Sequence, residues 1–118
     1  PLLRSLAGAE MCIRDRFTKA GLNAEQVMFD PGIGFGKTVE HNLALLAGLE
    51  RFTNMKRPLL VGASRKSFIG RLTEAAVEDR LAGSLACACR AAEAGAAVLR
   101  VHDVKETKQA LQTWNAIR

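Results

Sequence analysis

Aromatic residues are scarce in this 118-residue sequence, which has no tyrosine and a single tryptophan. Proteins that bind single-stranded nucleic acid stack its bases on aromatic side chains set among basic residues. Here the lysines and arginines are scattered, although the formal net charge is +5. The composition therefore favours a small anionic ligand over a nucleic-acid partner. A basic nucleic-acid binder is the competing class, and it would bind generic DNA with a strong salt dependence.

Cysteine is scarce as well, and its three positions do not suggest a disulfide framework. Cys87 and Cys89 lie too close together to bridge, in an alanine-rich stretch where small apolar side chains pack. No C-x-x-C motif and no pair of histidines indicates a zinc site. This cysteine usage is typical of a reducing compartment, so we expect a cytoplasmic protein.

Long hydrophobic runs are also absent. No stretch approaches the roughly 18 uninterrupted apolar residues of a membrane-spanning helix, so we expect no membrane partner. The hydrophobic fraction of 48% is nevertheless enough for the core of one ordinary globular domain.

The most distinctive stretch that is present is the glycine turn, Asp-Pro-Gly-Ile-Gly-Phe-Gly-Lys-Thr at residues 30–38. It lies between an apolar run and an amphipathic segment, which predicts a strand-to-helix turn. Its three alternate glycines permit positive φ and close approach of the backbone to a ligand. The spacing matches neither a P-loop, which needs glycine where Pro31 stands, nor the dinucleotide motif G-x-G-x-x-G. The alternative is a structural turn capped by Asp30, and we expect Lys37 to be solvated.

Strands and helices alternate along the chain. Apolar runs predict three strands, at residues 27–30, 58–62 and 96–101. Hydrophobic periodicity predicts three helices, at residues 39–52, 80–94 and 105–117. The order βαβαβα predicts an α/β fold with parallel strands, as part of either a (β/α)8 barrel or a doubly wound sheet.

Capping signals and periodicity also predict helix ends and faces. Thr38 is the expected N-cap of the first helix, and Asp79 or a neighbour opens the second. The expected packed faces are Val39, Leu43, Leu46 and Leu49 in the first helix, and Leu111, Trp114 and Ile117 in the last. His41 and Asn42 are expected to have no catalytic duty. An earlier helix is expected to end at residues 17–20, followed by Gly21.

Unusual polar residues follow each predicted strand: Asp30 after the first, Ser64, Arg65 and Lys66 after the second, and Arg100 and His102 after the third. The carboxyl ends of parallel strands form the edge where ligands bind in both architectures. The cations predict an anion site there, because the planar fork of arginine suits phosphate. The carboxylate of Asp30 can accept paired N–H donors from a flat heterocycle, which Phe35 could cover.

Each of these residues also has a plain structural interpretation. Arg100 could pair with Asp103 or cap a helix end, and such surface pairs are common and weak. His102 could be a structural histidine held by hydrogen bonds. Ser64 and Ser67 could be helix caps.

Together the motifs resemble those of bacterial dihydropteroate synthases. They are D-P-G-I-G-F-G-K-T at residues 30–38, L-V-G-A-S-R-K-S at 60–67 and R-V-H-D-V at 100–104, with R-L-A-G-S-L-A at 80–86 also similar. The resemblance covers residues 17–118 and implies a TIM (β/α)8 barrel, of which this chain is the last three βα units. The implied reaction condenses 6-hydroxymethyl-7,8-dihydropterin diphosphate with 4-aminobenzoate to 7,8-dihydropteroate, in folate biosynthesis. The resemblance also implies that the enzyme is a target of sulfonamides.

The resemblance also implies which residues bind the two substrates. Asp30 would hold the edge of the pterin ring. Phe35 and Gly62 would shape the pterin and aminobenzoate pockets, and Ser64 and Arg65 would line the aminobenzoate side.

Three cations are the catalytic residues that the resemblance implies: Lys66, Arg100 and His102. Lys66 would contact the pterin, whereas Arg100 and His102 would hold the diphosphate and stabilise its growing charge as it leaves. Mg²⁺ on the diphosphate is the implied cofactor. Its main protein ligand, an asparagine, is expected in the N-terminal part of the barrel, and no metal ligand is expected in this chain.

The length of the chain limits these expectations, because a complete barrel takes about 250 residues. We expect the isolated chain to be inactive, because the family's first five strands and their substrate loops are absent. We also expect it to be unstable, because an open three-stranded parallel sheet has exposed edges. The resemblance implies a homodimer for the full-length enzyme. Alternatives are a non-catalytic module that binds pterin or diphosphate, and a related methyltetrahydrofolate-binding methyltransferase domain, which shares the aspartate turn more than the other motifs.

The N-terminal residues 1–16 do not resemble the preceding part of the family and are left unassigned. Residues 11–16, Met-Cys-Ile-Arg-Asp-Arg, resemble a translated sequencing adaptor, which predicts an assembly junction just before Phe17. The alternative is a real but unusual helix. Sequencing genomic DNA across the codons for Arg16 and Phe17 tests this prediction.

Overall fold

The fold comes from a computed structural model, which describes residues 19–21, 23, 25, 27–53 and 57–118. The predictions for residues 1–16, for Phe17 and for Cys12 lie outside the described residues. At the start of the described part, Lys19 is helical and Gly21 has a φ of +90°, which fits the helix end expected there.

The sheet is parallel, as the βαβαβα order predicts. Strand β1 (Leu60–Val61) pairs with strand β2 (Val98–Leu99), and Leu60 lies opposite Val98. Just before β1, Leu59 forms a parallel bridge with Phe29. The strands are shorter than those predicted at residues 27–30, 58–62 and 96–101, since only two residues of β1 pair with β2 and the Phe29 segment forms a single bridge. The chain segment that contains β1 thus lies between the other two, and all three run in the same direction.

Five α-helices lie between residues 39 and 118 of the described part. They are α1 (Val39–Ala47), α2 (Glu50–Thr53), α3 (Ser67–Thr73), α4 (Leu81–Glu93) and α5 (Val104–Ile117), with a 3₁₀ turn at Val77–Asp79. Helix α1 follows the Phe29 segment, α3 and α4 follow β1, and α5 follows β2. None of these helices is long and apolar enough to cross a membrane.

The prediction of one helix at residues 39–52 was wrong, because the chain forms α1 and α2 there. Gly48 ends α1, with its N–H donating to the carbonyl oxygen of Ala44 at 3.1 Å, and glycine is a poor helix former. The predicted N-cap is confirmed: the Thr38 hydroxyl accepts a hydrogen bond from the N–H of His41 at 3.1 Å.

The predicted packed face of this region was partly wrong. Leu43 is 38% exposed, whereas the most buried side chains here are Asn42, Leu45, Leu49 and Phe52. The buried stripe therefore begins at a polar residue. The predicted face was displaced around the helix because only apolar residues were counted as buried. A hydrophobicity pattern does not show that the Asn42 amide has hydrogen-bond partners, which allow it to be buried.

Two other helix predictions need correction, and one is confirmed. Helix α3 was missed. The second predicted helix begins at Leu81 with Arg80 as its N-cap, which fits an opening at Asp79 or a neighbour, and Asp79 itself belongs to the 3₁₀ turn. Helix α5 matches its prediction within one residue, but Ile117 is 73% exposed, so the predicted face at its end is not buried.

The core lies where α1 to α4 meet the sheet. Its buried members are Ile33, Leu45, Leu46, Leu49, Phe52, Leu59, Val61, Ala63, Phe68, Ile69, Ala91 and Ala94. The small residues of α4 permit the close packing that the sequence predicts: Ala88 and Ala91 are buried, and a Cβ on Gly83 would collide with Ile69. Because Ile33 and Ala63 belong to this core, the loops after the Phe29 segment and after β1 are anchored in it.

Arg90 of α4 ties the core helices together. Its guanidinium donates to the carbonyl oxygens of Leu46 and Ala47, both at 2.9 Å, at the C-terminus of α1. It also pairs with the carboxylates of Glu50, at 2.5 Å, and Glu93, at 3.2 Å. These bonds satisfy carbonyls that a helix end leaves without intrahelical partners.

Replacing Arg90 by alanine is expected to lower the free energy of unfolding by about 1–2 kcal/mol, because charge-assisted hydrogen bonds are lost at a partly exposed site. Urea unfolding followed by circular dichroism measures this. Arg71→Ala, at an exposed position of α3, is the control and should change it by less than about 0.5 kcal/mol. Equal effects of the two substitutions would contradict this role of Arg90.

Candidate active site

The structure brings the predicted site residues together at the carboxyl ends of the three parallel segments. They line a cleft of about 280 Å³, formed by Gly62, Ser64, Lys66, Arg100, Val101 and His102. Arg100 and His102 share this cleft, as strand alternation predicts, although Val101 also reaches it. Asp30 and Phe35 approach from the glycine turn beside it.

The glycine turn has the backbone conformation that its glycines permit. Gly32, Gly34 and Gly36 have φ of +75°, +90° and +61°. The carboxylate of Asp30 accepts a hydrogen bond from the N–H of Gly32 at 2.8 Å. Lys37 is not solvated as expected: its ammonium donates to the carbonyl oxygens of Gly32, at 2.8 Å, and Phe35, at 3.0 Å. The turn is therefore held closed by its own side chains.

Lys66 bridges the cleft and the glycine turn. Its ammonium donates to the carbonyl oxygen of Ile33 and lies 4.5 Å from the ring centroid of Phe35, within cation–π range. Burial lowers the pKa of Lys66, and repulsion by the Arg100 guanidinium lowers it further, while Asp30 acts in the opposite direction. Phe35 is 65% exposed, so its other face is free to cover a flat ligand.

Arg100 does not pair with Asp103, the alternative that the sequence left open. Its guanidinium lies 3.8 Å from the carboxylate of Asp30, and the two side chains are 58% and 36% exposed. A pair this long and this hydrated is weak, so Arg100 can bind an anion instead. Gly62 makes room for it: a Cβ there would lie 2.8 Å from a terminal nitrogen of Arg100.

Ser64 holds His102 and is not a helix cap. The Ser64 hydroxyl lies 2.9 Å from Nδ1 of His102 and accepts its backbone N–H at 3.3 Å. With Nδ1 occupied, Nε2 is the ring nitrogen available to a ligand. Ser67 is not a cap either, because it is the first residue of α3 and Lys66 is the N-cap.

Arg65 connects the loops after β1 and β2. Its guanidinium forms two hydrogen bonds with the carboxylate of Asp103, at 2.6 and 3.2 Å. Its backbone has a φ of +56°, which is uncommon for a side-chain-bearing residue. The hydroxyl of Ser84 accepts the N–H of Arg65 at 2.8 Å, and the guanidinium of Arg80 donates to its carbonyl oxygen at 3.1 Å.

The residues that support the site were not predicted from the sequence. Ser84 and Arg80 hold the loop after β1, and Asn42 accepts the N–H of Gly34 at 2.7 Å. For Asn42 a signal existed, since a polar residue stands in helical register with Leu45 and Leu49. Ser84 and Arg80 follow β1 by about twenty positions, and no pattern in the sequence links them to it.

The Arg65–Asp103 pair predicts a specific pH dependence. Hydrogen bonding to Arg65 holds the pKa of Asp103 below its usual value. When a carboxyl group has a lower pKa in the folded chain than in the unfolded chain, its ionised form stabilises the fold. This contribution is complete at pH values above the pKa in the unfolded chain, about 4. It is lost as the pH falls through the pKa in the folded chain.

Asp103→Asn should therefore lose less stability than the parent chain between pH 6 and pH 3. Urea unfolding at the two pH values measures the difference. The control, Asp79→Asn, alters an exposed carboxylate on another turn and should keep the parental profile. Identical profiles for Asp103→Asn and the parent would show that the pair does not contribute.

The described residues alone do not fit a magnesium site. They contain no group of three histidine, cysteine, aspartate or glutamate side chains close enough to share a metal. At the cleft, the Asp30 carboxylate already accepts a hydrogen bond from the N–H of Gly32 and faces Arg100.

The two cysteines of the described part, Cys87 and Cys89, are free thiols, and burial raises the pKa of Cys87 to about 11.

Comparison with known proteins identifies the family. Residues 3–102 match the family model described as "Pterin binding enzyme". The chain belongs to the pterin-binding enzyme family. The match begins at residue 3 and not at Phe17, where the resemblance was predicted to begin. The adaptor origin of residues 11–16 stays a prediction.

Similar proteins within the family include dihydropteroate synthases, which confirms the resemblance seen in the motifs. The dihydropteroate synthase of Escherichia coli (strain K12) is 52% identical over 101 residues, covering 86% of this chain and 36% of that protein. The chain thus spans about a third of the length of this relative.

Solved structures of pterin-binding enzymes share the fold of this chain. The Yersinia pestis dihydropteroate synthase in a sulfonamide drug complex has a TM-score of 0.96 and 42% identity, covering all of this chain and 43% of its own. The Xanthomonas albilineans enzyme, in complex with 7,8-dihydropteroate, has a TM-score of 0.95 and 39% identity, covering 98% of this chain and 45% of its own.

Proposed function

We propose that this chain forms part of a dihydropteroate synthase, which condenses 6-hydroxymethyl-7,8-dihydropterin diphosphate with 4-aminobenzoate. The observation that carries the proposal is the convergence of Asp30, Lys66, Arg100 and His102 on one edge of a parallel sheet. As part of the proposal, the chain forms the last three βα units of a TIM (β/α)8 barrel. The alternation of parallel strand segments with helices supports this.

Asp30 is the proposed anchor of the pterin. Its second carboxylate oxygen faces Arg100 at 3.8 Å, a contact long enough for a ligand to replace it. An ionised carboxylate can accept two N–H groups from the edge of a pterin ring. Phe35 and Lys66 would then lie along the ring, with Gly62 leaving space beside it.

Arg100 and His102 are the proposed diphosphate ligands. In the reaction the C–O bond between the pterin methylene and the diphosphate breaks, and the oxygen keeps the electron pair. The aromatic amine forms the new C–N bond and releases a proton to solvent. Cations placed where negative charge accumulates lower the barrier to this departure. Lys66 lies close enough to Arg100 for its pKa to be affected, so it adds to the same field.

Ser64 and Arg65 are proposed to line the aminobenzoate side. Both side chains are engaged, Ser64 with His102 and Arg65 with Asp103. Their contribution is therefore the shape of that wall. Because the Yersinia pestis relative was solved in a sulfonamide drug complex, inhibition by sulfonamides belongs to the proposal.

Three further properties of the complete protein are part of the proposal. Mg²⁺ would assist diphosphate departure, with its main protein ligand in the part of the relatives that this chain does not span. The complete enzyme would be a homodimer, and it would act in the cytoplasm.

A segment exchange tests the proposal. The matching 101-residue segment of the Escherichia coli synthase is replaced by that of this chain, and dihydropteroate formation by the purified chimera is measured. We expect kcat/KM within about tenfold of the parent enzyme, since the segment retains the proposed catalytic groups. A folded chimera without activity, beside an active parent, would contradict the proposal and favour a non-catalytic pterin or diphosphate binder. The isolated chain is expected to be inactive.

A further inference from the structure

One buried polar group near the cleft is not used by the mechanism above. Asn42 of α1 is 2% exposed, although its side chain ends in a polar amide. A buried amide is costly unless it is hydrogen-bonded. Both of its ends are satisfied: Nδ2 donates to the carbonyl oxygen of Thr38 at 3.0 Å, and Oδ1 accepts the N–H of Gly34 at 2.7 Å.

The second of these bonds fixes a point in the glycine turn. Gly34 has a φ of +90°, and its N–H belongs to the peptide group whose carbonyl oxygen is that of Ile33. That carbonyl oxygen is the acceptor of the Lys66 ammonium. One rigid peptide plane therefore carries the Asn42 bond on one side and the Lys66 bond on the other.

The side chain of Lys66 also packs closely against Gly34. A Cβ added to Gly34 would lie 2.6 Å from Cδ of Lys66. The lysine stem thus lies directly on the turn while its ammonium bonds the turn's backbone. A rotation of the Ile33–Gly34 peptide would move the acceptor and the surface on which the stem lies.

We propose that Asn42 is the positioning residue for Lys66, acting through the Ile33–Gly34 peptide plane. This inference rests on the proposed function, because Lys66 needs a fixed position only if the cleft binds an anion. It is compatible with the expectation that Asn42, at the start of α1, has no catalytic duty. Asn42 touches no reacting group, so it is a positioning residue and not a catalytic one.

Amide hydrogen exchange on the full 118-residue chain gives the first test, without any substitution. The Gly34 amide should exchange at least about tenfold more slowly than that of Gly36. Gly36 is a matched control, because it also has a positive φ, of +61°, and is exposed. Equal exchange of the two amides would overturn the proposal.

Asn42→Leu gives the second test, since leucine has a similar volume and no hydrogen-bonding group. We expect Gly34 to lose its protection and the pKa of Lys66, followed by NMR at its ε-methylene, to rise toward its ordinary value. We expect this rise because burial is the largest cause of the lowered pKa of Lys66. Repulsion by Arg100 and Lys37 lowers this pKa further, whereas attraction by Asp30 raises it. Affinity for inorganic diphosphate should fall about tenfold, a modest loss typical of a misplaced charge partner.

Two further variants separate positioning from simple destabilisation. Thr38→Ala removes the N-cap of the same helix but keeps the carbonyl oxygen that Asn42 bonds, so Lys66 should titrate as in the parent. Asn42→Asp keeps the acceptor for Gly34 and should restore its protection. An unchanged Lys66 titration in Asn42→Leu, or an equal change in Thr38→Ala, would overturn the proposal.

Failure of the proposed function would look different. If the parent chain did not bind diphosphate, the anion cleft would be in doubt. The Gly34 exchange and the Lys66 titration need no ligand, and they would still decide whether Asn42 positions Lys66. If Asn42→Leu did not fold, the Gly34 and Gly36 comparison in the parent chain would decide.

Discussion

Replacing Arg100 by alanine in the chimeric synthase is expected to lower kcat/KM about 100-fold. Its guanidinium has one weak partner in the described part, Asp30 at 3.8 Å, and lies on the cleft. A charged hydrogen-bond donor to a leaving diphosphate contributes about 1.5–3 kcal/mol, and each 1.4 kcal/mol is tenfold in rate. Because that charge develops as the bond breaks, most of the loss should be in kcat.

The control for Arg100→Ala is Arg71→Ala, which removes the same charge from an exposed position on α3. It should leave kcat/KM within about twofold, since distant surface charges are screened by salt. Steady-state assays with the pterin diphosphate varied at saturating aminobenzoate measure both variants. If the two variants lost equal activity, Arg100 would act only through the net charge of the protein.

Replacing Gly34 by alanine is the second substitution with a large expected effect. The new Cβ would meet Cδ of Lys66 at 2.6 Å, and a φ of +90° is strained for any side-chain-bearing residue. We expect a loss of about 1–3 kcal/mol in the free energy of unfolding, from backbone strain. We also expect at least a 100-fold loss of kcat/KM in the chimera, because Lys66 must leave its position.

Gly36→Ala is a matched control for the collision. Gly36 also has a positive φ, of +61°, but nothing lies within 4 Å of an added Cβ. It should lose comparable stability, measured by urea unfolding, and retain most of the activity. Should Gly36→Ala lose as much activity as Gly34→Ala, strain in the turn and not contact with Lys66 would be the cause.

The sequence predicted the architecture well, because the signals for it are local. Continuous apolar runs mark strands buried on both faces, and their parallel pairing follows from the helices between them. Thr38 was recognisable as a cap from residue type alone. The break at Gly48 and the missed helix Ser67–Thr73 show the limit of this reading, since short helices have weak periodicity and their ends depend on tertiary contacts.

The sequence also predicted which residues meet at the site, but not how they are bonded. Placing polar residues after parallel strands was enough to bring Lys66, Arg100 and His102 to one cleft. Their pairing depends on side-chain directions that spacing does not specify. Thus Asp103 bonds Arg65 and not Arg100, and Lys37 folds back on its own turn. The same limit hid Asn42, whose partner is a backbone N–H eight residues earlier in the chain.

The most direct test of the proposed site is a titration of the ¹⁵N-labelled chain with inorganic diphosphate, followed by NMR. We expect saturable shifts concentrated at Lys66, Arg100 and His102, which line the cleft. Shifts concentrated instead at exposed basic residues of the helices, such as Arg71 and Lys108, would contradict it. They would show that diphosphate binds to the general positive charge of the surface and not to the ends of the parallel strands.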